Sequence, residues 1–259
     1  MKQAFESFLA LHRGEEPLLI GNVWNVQSAK VFEQCGFKAL ATSSAAVAET
    51  LGYEDGQVMS FDEYLFVISR IAKSVDLLLS VDLEAGYGES AGEIVRNIAK
   101  LSELGVCGIN IEDSIMRDGN RLLRDAGEFA ALLRMVCSEL ESRNIKMFIN
   151  VRCDVFLMGL ADAATEGLQR IGLYKDTGVH GLFFPCITQP GDIEVVVKAS
   201  ELPVNVMCMP GLPSFSLLKE IGVKRISMGN FLNKKVYGSL QADVRQIVKD
   251  GSFGLVFGN

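Results

Sequence analysis

Histidine is nearly missing from this 259-residue chain; only His12 and His180 occur. That disfavours a zinc hydrolase, whose metal takes several imidazole ligands. The six cysteines, at positions 35, 107, 137, 153, 186 and 208, make no CxxC pair and no zinc spacing, so buried free thiols are expected. Positive charge is also short: a net charge of -7 argues against nucleic acid or an anionic membrane as partner. No apolar run approaches a membrane-spanning length. The opening "MKQAFESFLALHRGEE" interrupts its apolar residues with charges, as an amphipathic helix does and a signal peptide does not. The expected location is therefore cytoplasmic. No Pro/Gly/Ser-rich linker divides the chain, so 1–259 reads as one domain. With 49% hydrophobic and 22% charged residues, it has the composition of a globular protein with ample core.

What is present has a repeat. "CGFKAL", "LGVCGINI", "TGVHGLFF" and "IGVKRISM" each close an amphipathic run with a glycine and open an apolar one. Gly36, Gly105, Gly178 and Gly222 stand where a left-handed helix C-cap belongs. Strand-like runs fall at 18–24, 39–44, 77–84, 108–113, 146–154, 181–186, 203–208 and 225–229, with helical patterns between them. Ser60 with Glu63 and Ser90 with Glu93 form capping boxes ahead of two of these helices. Eight alternating β/α units predict a (β/α)8 TIM barrel. A doubly wound sheet is the alternative, but no GxGxxG turn follows the first strand.

In a barrel the chemistry lies at the carboxyl ends of the strands. Those ends carry Asn22, Ser43, Ser44, Asp82, Glu84, Glu112, Asp113, Arg152, Asp154 and Asn230, whereas the amino ends carry Lys38, Lys146, His180 and Lys224. No lysine stands at a carboxyl end, which counts against Schiff-base chemistry. "MPGLPS" and "MGN" are thin signals for a phosphate site. In "SVDLEAGYGES", Asp82 and Glu84 are two apart in the predicted strand and so point to one face. Buried together they require a cation, and Glu112 on the next strand joins them. Oxygen-only ligation favours Mg2+, or Mn2+. Any one of these acids alone could equally cap a helix or pair with an arginine; convergence from adjacent strands favours the metal. Arg152 suits an anionic substrate, because guanidinium matches a carboxylate with two parallel bonds. A metal beside such an arginine suits stabilisation of an enolate. Asp113 reads as a possible structural cap and Cys153 as core.

"ATSSAAVAETLGYEDG", "DLEAGYG", "GINIEDS" and "NVRCDVF" resemble, in order and spacing, the isocitrate lyase/phosphoenolpyruvate mutase superfamily, and the similarity runs from about "GNVWNVQSAK" to "ISMGNFLNKKVYGSL". The resemblance implies a Mg2+-binding barrel acting on an α-oxocarboxylate, with a terminal helix often exchanged between subunits. It gives Asp82 the direct metal contact, with Glu84, Glu112 and Asp55 acting through metal-bound waters. Ser43, Ser44 and Ala45 would meet the substrate's carboxylate or oxo oxygen, and Arg152 its anionic group. The catalytic set it implies is Asp55, Arg152 and Asn120. Glu84 stands where the family commonly has an aspartate. After Glu112 the lyases carry a KKCGH-like gate with a catalytic cysteine; here "DSIMRDGNRLLRDAGEF" has no cysteine, lysine or histidine. Against the gate of phosphonopyruvate-handling members only Asn120 matches, and Asp118 replaces the lysine.

The expected activity is a Mg2+-dependent lyase or decarboxylase working on an oxaloacetate-like α-oxo acid. Phosphoenolpyruvate mutase or phosphonopyruvate hydrolase C–P chemistry is the alternative enzyme. A barrel that binds α-oxo acids without turning them over is the alternative of another class. The helical stretch 233–253 predicts a homo-oligomer, dimer or tetramer.

Overall fold

In the computed structural model, residues 2–56 and 58–257 are described. Helix α1 (Lys2–Leu11) precedes strands β1 (Leu18–Leu19) and β2 (Gly21–Val23), then α2 (Val26–Gln34), β3 (Ala39–Thr42), α3 (Ser44–Leu51), α4 (Phe61–Ala72), β4 (Leu78–Asp82), α5 (Ala91–Glu103) and β5 (Gly108–Glu112). A hairpin of β6 (Ser114–Arg117) and β7 (Asn120–Leu123) interrupts the alternation. It resumes with α6 (Ala126–Ser142), β8 (Phe148–Arg152), α7 (Ala163–Tyr174), β9 (Gly181–Phe184), α8 (Pro190–Ala199), β10 (Val204–Met207), α9 (Phe215–Ile221) and β11 (Arg225–Ser227), and ends in α10 (Phe231–Asp250) and α11 (Gly254–Phe257).

The main sheet is parallel, ordered β1-β11-β10-β9-β8-β5-β4-β3-β2. β1 pairs with β11 and β2 with β3, and only Ile20 separates β1 from β2. Ile20 N–H still donates to Ile226 C=O at 3.0 Å. The two pieces are thus one barrel strand kinked at Ile20, and the eight predicted strands are all present in a nearly closed barrel. The alternation is strict. Leu79, Val81, Ile109, Ile111, Ile149 and Val151 point outward into the large core shared with the helices. Phe5 and Phe8 of α1 close the amino end, packed on Leu18, Ile20, Ala39, Ala41, Cys107 and Phe148.

The helices begin and end where local chemistry directs. Both predicted capping boxes form, Ser60 with Glu63 and Ser90 with Glu93, and Asn25 with Ser28 adds a third. The four predicted cap glycines have φ of 80, 86, 92 and 101°, conformations that cost a side-chain-bearing residue energy. Cys153 is fully buried in the core, as expected. Asp113 is structural: buried, it accepts from Arg170 Nη1 at 2.9 Å, Tyr174 Oη at 3.0 Å and Asp154 N–H at 2.9 Å. Among the described residues no helix is long and apolar enough to cross a membrane.

Candidate active site

A cavity of about 540 Å³ opens at the carboxyl end of the barrel. Of the residues singled out from the sequence, Ser43, Ser44, Ala45, Asp55, Asp82 and Arg152 line it. Ser43 is the N-cap of α3 and its hydroxyl accepts from Ala46 N–H at 3.3 Å. The N–H groups of the following first-turn residues have no partner within the helix, so Ser44 and Ala45 present an anion-attracting terminus to the cavity.

Asp82 ends β4 facing that terminus. Ser44 Oγ donates to its Oδ2 at 2.8 Å, and Asn110 Nδ2 reaches its Oδ1 at 3.5 Å. Its backbone is fixed as well. Asp82 N–H donates to Thr42 Oγ1 at 3.1 Å, and Tyr64 Oη donates to Asp82 C=O at 3.1 Å. With its own proton committed, Tyr64 accepts from Thr42 Oγ1 at 2.5 Å.

Glu84 departs from the expectation. β4 stops at Asp82, and Glu84 lies in the following turn at φ 51°, a strained value for a residue with a side chain. The alternation that would have put Asp82 and Glu84 on one face is therefore broken. Glu84 and Glu112 line an adjoining cavity of about 710 Å³. Tyr87 Oη donates to Glu84 Oε1 at 2.9 Å, and Glu84 Oε2 is buried without a partner.

The gate segment is an antiparallel hairpin turned at Asp118 and Gly119, φ 51 and 75°. Asn120 lies at its exposed end, where Nδ2 bonds Asp118 C=O at 3.1 Å, so the structure does not bring Asn120 to the cavity. Its neighbour Arg121 reaches inward instead. Arg121 Nη1 meets Glu112 Oε1 at 2.5 Å, Ser114 Oγ at 2.8 Å and Asp154 Oδ2 at 3.3 Å, and Nη2 lies 3.8 Å from Asp55 Oδ2. Arg152 mirrors it from β8, with Nε on Asp154 Oδ1 at 2.7 Å and Nη1 3.0 Å from Glu112 Oε2. That last contact is close enough for an ion pair but not aligned as a hydrogen bond. Arg121 and the partner role of Asp154 were not foreseen. The signal existed in "RDGN", because a two-residue Asp-Gly turn dictates a hairpin and hence which side chains return toward the barrel.

Five carboxylates (Asp55, Asp82, Glu84, Glu112, Asp154) thus share two guanidiniums (Arg121, Arg152). Their protonation reflects the imbalance. Burial, reinforced by Asp82 and Glu112, pushes Glu84 up to about 8. Burial likewise pushes Glu112 up to about 7 against the pull of Arg152, and raises Asp82. Burial opposes the charge of Arg152, yet Glu112, Asp154 and Asp82 hold it above its ordinary range. The donor set fits a hard divalent ion: all oxygen, negative in excess, with a buried Glu84 oxygen lacking any partner. Among the described residues no three acid, histidine or cysteine side chains converge closely enough to cage an ion directly. Asp82, Glu84, Glu112 and Asp55 are the residues that could hold such an ion.

A sequence model of the phosphoenolpyruvate phosphomutase family matches residues 8–248. A solved structure from Burkholderia cenocepacia is 36% identical, covers 94% of this chain and 99% of its own, and superposes with a TM-score of 0.87. Salmonella typhimurium 2-methylisocitrate lyase is 28% identical over 83% of this chain and 72% of its own length. An oxaloacetate decarboxylase of Bradyrhizobium diazoefficiens is 27% identical over 71% and 64%. The barrel is also that of a phosphonopyruvate hydrolase solved with oxalate and Mg2+, at 19% identity, a TM-score of 0.83 and coverage of 96% and 88%. Matched along nearly its whole length by one family's pattern and folded as that family's barrel, the chain belongs to the phosphoenolpyruvate phosphomutase family of the isocitrate lyase/phosphoenolpyruvate mutase superfamily.

Proposed function

We propose that the protein is a Mg2+-dependent lyase that decarboxylates a small α-oxo dicarboxylate of the oxaloacetate type. One observation carries this reading: Asp82 and the α3 terminus face Arg152 in a cavity sized for a few-carbon acid. The α-carboxylate meets the N–H groups of Ser44 and Ala45 and the Ser43 hydroxyl, and Arg152 orients the distal carboxylate. Asp82, supported by Glu84 and Glu112, would hold the cation. A divalent ion there supplies Lewis-acid chemistry, drawing electron density from the substrate's oxo group. With the distal carboxylate held out of the enol plane, its bond to the methylene carbon breaks, CO2 leaves and the electron pair passes into the oxo system. The methylene carbon regains a proton from solvent water at the mouth of the cavity, where the Asp55 side chain is 51% exposed. None of this needs a gate cysteine. Cys137, the first cysteine after Glu112, lines a different cavity with Lys146 and His180, and burial pushes its thiol up to about 11.

A specific observation favours C–P chemistry as the second reading. The gate segment lacks lysine, yet it delivers Arg121 to the same cavity as Arg152, and two guanidiniums suit a phosphonate. Parallel assays with Mg2+ of oxaloacetate, phosphonopyruvate, isocitrate and 2-methylisocitrate decide between them. Pyruvate is expected from oxaloacetate and no succinate from either isocitrate. Turnover undiminished by excess chelator would refute the metal assignment, and a preference for phosphonopyruvate would install the second reading.

We also infer self-association through α10. Leu232, Val236, Leu240, Val244 and Val248 recur every four residues on it and all are exposed, while Asn233 is its sole buried residue. Val236→Glu with Leu240→Glu should convert an oligomer to monomers in light scattering. A wild-type protein monomeric at micromolar concentration contradicts the inference.

A further inference from the structure

The amino end of the barrel carries positive charge that the chemistry at the carboxyl end does not use. Lys146, His180 and Lys224 stand just before β8, β9 and β11, and Arg13 follows α1. All four line a cavity of about 750 Å³ beside α1. Lys224 Nζ donates to Gly14 C=O at 3.0 Å, which ties the turn holding Arg13 to the foot of β11. No ion pair joins Arg13, Lys146 or Lys224 to a carboxylate among the described residues. The one acid in the lining, Glu201, is exposed and already takes Lys175 Nζ at 2.8 Å. Three uncompensated cations around one hollow run against the net charge of -7 of the chain.

We propose that this hollow binds a small phosphate monoester with an apolar body. A phosphate spreads nearly two negative charges over three oxygens, so it can take several separate cations at once, whereas a planar carboxylate is matched by one guanidinium. Arg13, Lys146 and Lys224 supply those cations. His180 adds a directed donor: its Nδ1 accepts from Ile149 N–H at 3.2 Å, which leaves the ring proton on Nε2. That Nε2–H has no partner among the described residues. Burial, with Lys146 and Arg13, lowers His180 to about 4, so the ring is a neutral donor at pH 7. The rest of the wall is apolar, with Phe5, Leu9, Val179, Leu202 and Val204 facing the same space. A few cations set in an apolar hollow of this volume suit an organic phosphate better than the bare ion.

The test uses the intact protein and phenyl phosphate, titrated by calorimetry in chelator. Binding should saturate and weaken as salt rises, and inorganic phosphate should bind roughly tenfold more weakly for want of an apolar body. Arg13→Met with Lys146→Met should raise Kd about tenfold or more, because two charge-assisted contacts are lost, and should leave oxaloacetate turnover unchanged. Arg121→Met, at the opposite end of the barrel, should leave Kd unchanged. Crystals soaked in 4-bromophenyl phosphate should place the bromine anomalous peak against Phe5 and Leu9. No binding, a Kd unmoved in the double variant, binding lost in Arg121→Met, equal affinity for inorganic phosphate, or a bromine peak at the carboxyl end alone each overturns the proposal. Should the double variant fail to fold, the wild-type crystal still decides.

Discussion

The two ends of the barrel are built from the same strands and differ in kind. Stepping inward residues by two, β4 reads Leu78, Ser80, Asp82; β5 reads Gly108, Asn110, Glu112; β8 reads Phe148, Asn150, Arg152. Each passes from apolar or absent side chain through a neutral polar one to a charge. At the floor, Phe8 meets Phe148 edge-on at 5.3 Å and His12 stacks on Phe148 at 4.2 Å. At the rim, acids outnumber bases and Glu84, Tyr87 and Cys186 hold positive φ without being glycine. The floor is held mainly by apolar and aromatic packing, with Arg225 its one buried charge among the described residues, whereas the rim gathers an excess of buried acids and strained backbone.

Removing Asp82 should break this contrast most sharply. Asp82→Ala is expected to lower turnover by about 10²–10³-fold or more while Tm holds or rises, because a crowded buried carboxylate is relieved. Metal binding followed with Mn2+ should weaken in parallel; a variant that unfolds would make the rim structural. At the floor the signs reverse. Phe8→Ala should cost about 3–5 kcal/mol by urea denaturation, with turnover per folded molecule unchanged. A loss of turnover without a loss of stability would contradict the division.

Within the rim, Arg121→Met should raise KM for phosphonopyruvate roughly tenfold, because a phosphonate loses one of two guanidiniums, and should raise KM for oxaloacetate less. Asn120→Ala should move KM and stability by nothing measurable, as its side chain only closes the hairpin end.

Acid sharpens the comparison further. Burial lowers His12 to about 3, and burial with Lys146 and Arg13 lowers His180 to about 4. The unfolded chain therefore takes up protons from about pH 6.5 downward while the native chain does not. The stability these sites contribute is complete above pH 6.5 and is lost as pH falls toward 4 and 3, with a slope of about 1.4 kcal/mol per pH unit for each. Glu84 has the opposite sign, since its native value is raised: its contribution is complete below 4.5 and lost as pH rises through about 8. In chelator, urea midpoints from pH 4 to 8 should show both limbs. His12→Asn should flatten the acid limb, and Glu84→Gln the alkaline one.

The barrel was legible because its signals are local. Period-two alternation, capping boxes and cap glycines each act over a few residues, and each reappears in place. Asp82 and Arg152 were legible for the same reason, as charges that end apolar strands. The strand length after Asp82 was not. Whether alternation continues to Glu84 depends on how far β5 pairs with β4, and the last matched pair is Asp82 with Asn110. The hairpin was readable from "RDGN", but the resemblance directed attention to absent gate residues and so to Asn120 rather than Arg121.

By itself, then, the sequence determined the eight β/α units, which end of them carries the acids, and the family, because these follow from patterns a few residues long and from their order. Only the tertiary structure decided which charges meet. Arg121 finds Asp154 and Arg170 finds Asp113 across 33 and 57 residues, while Arg225 finds no carboxylate within ion-pair distance among the described residues. Those pairings depend on closure of the barrel, which brings distant strands side by side, and Coulomb energy depends on distance in space, not along the chain.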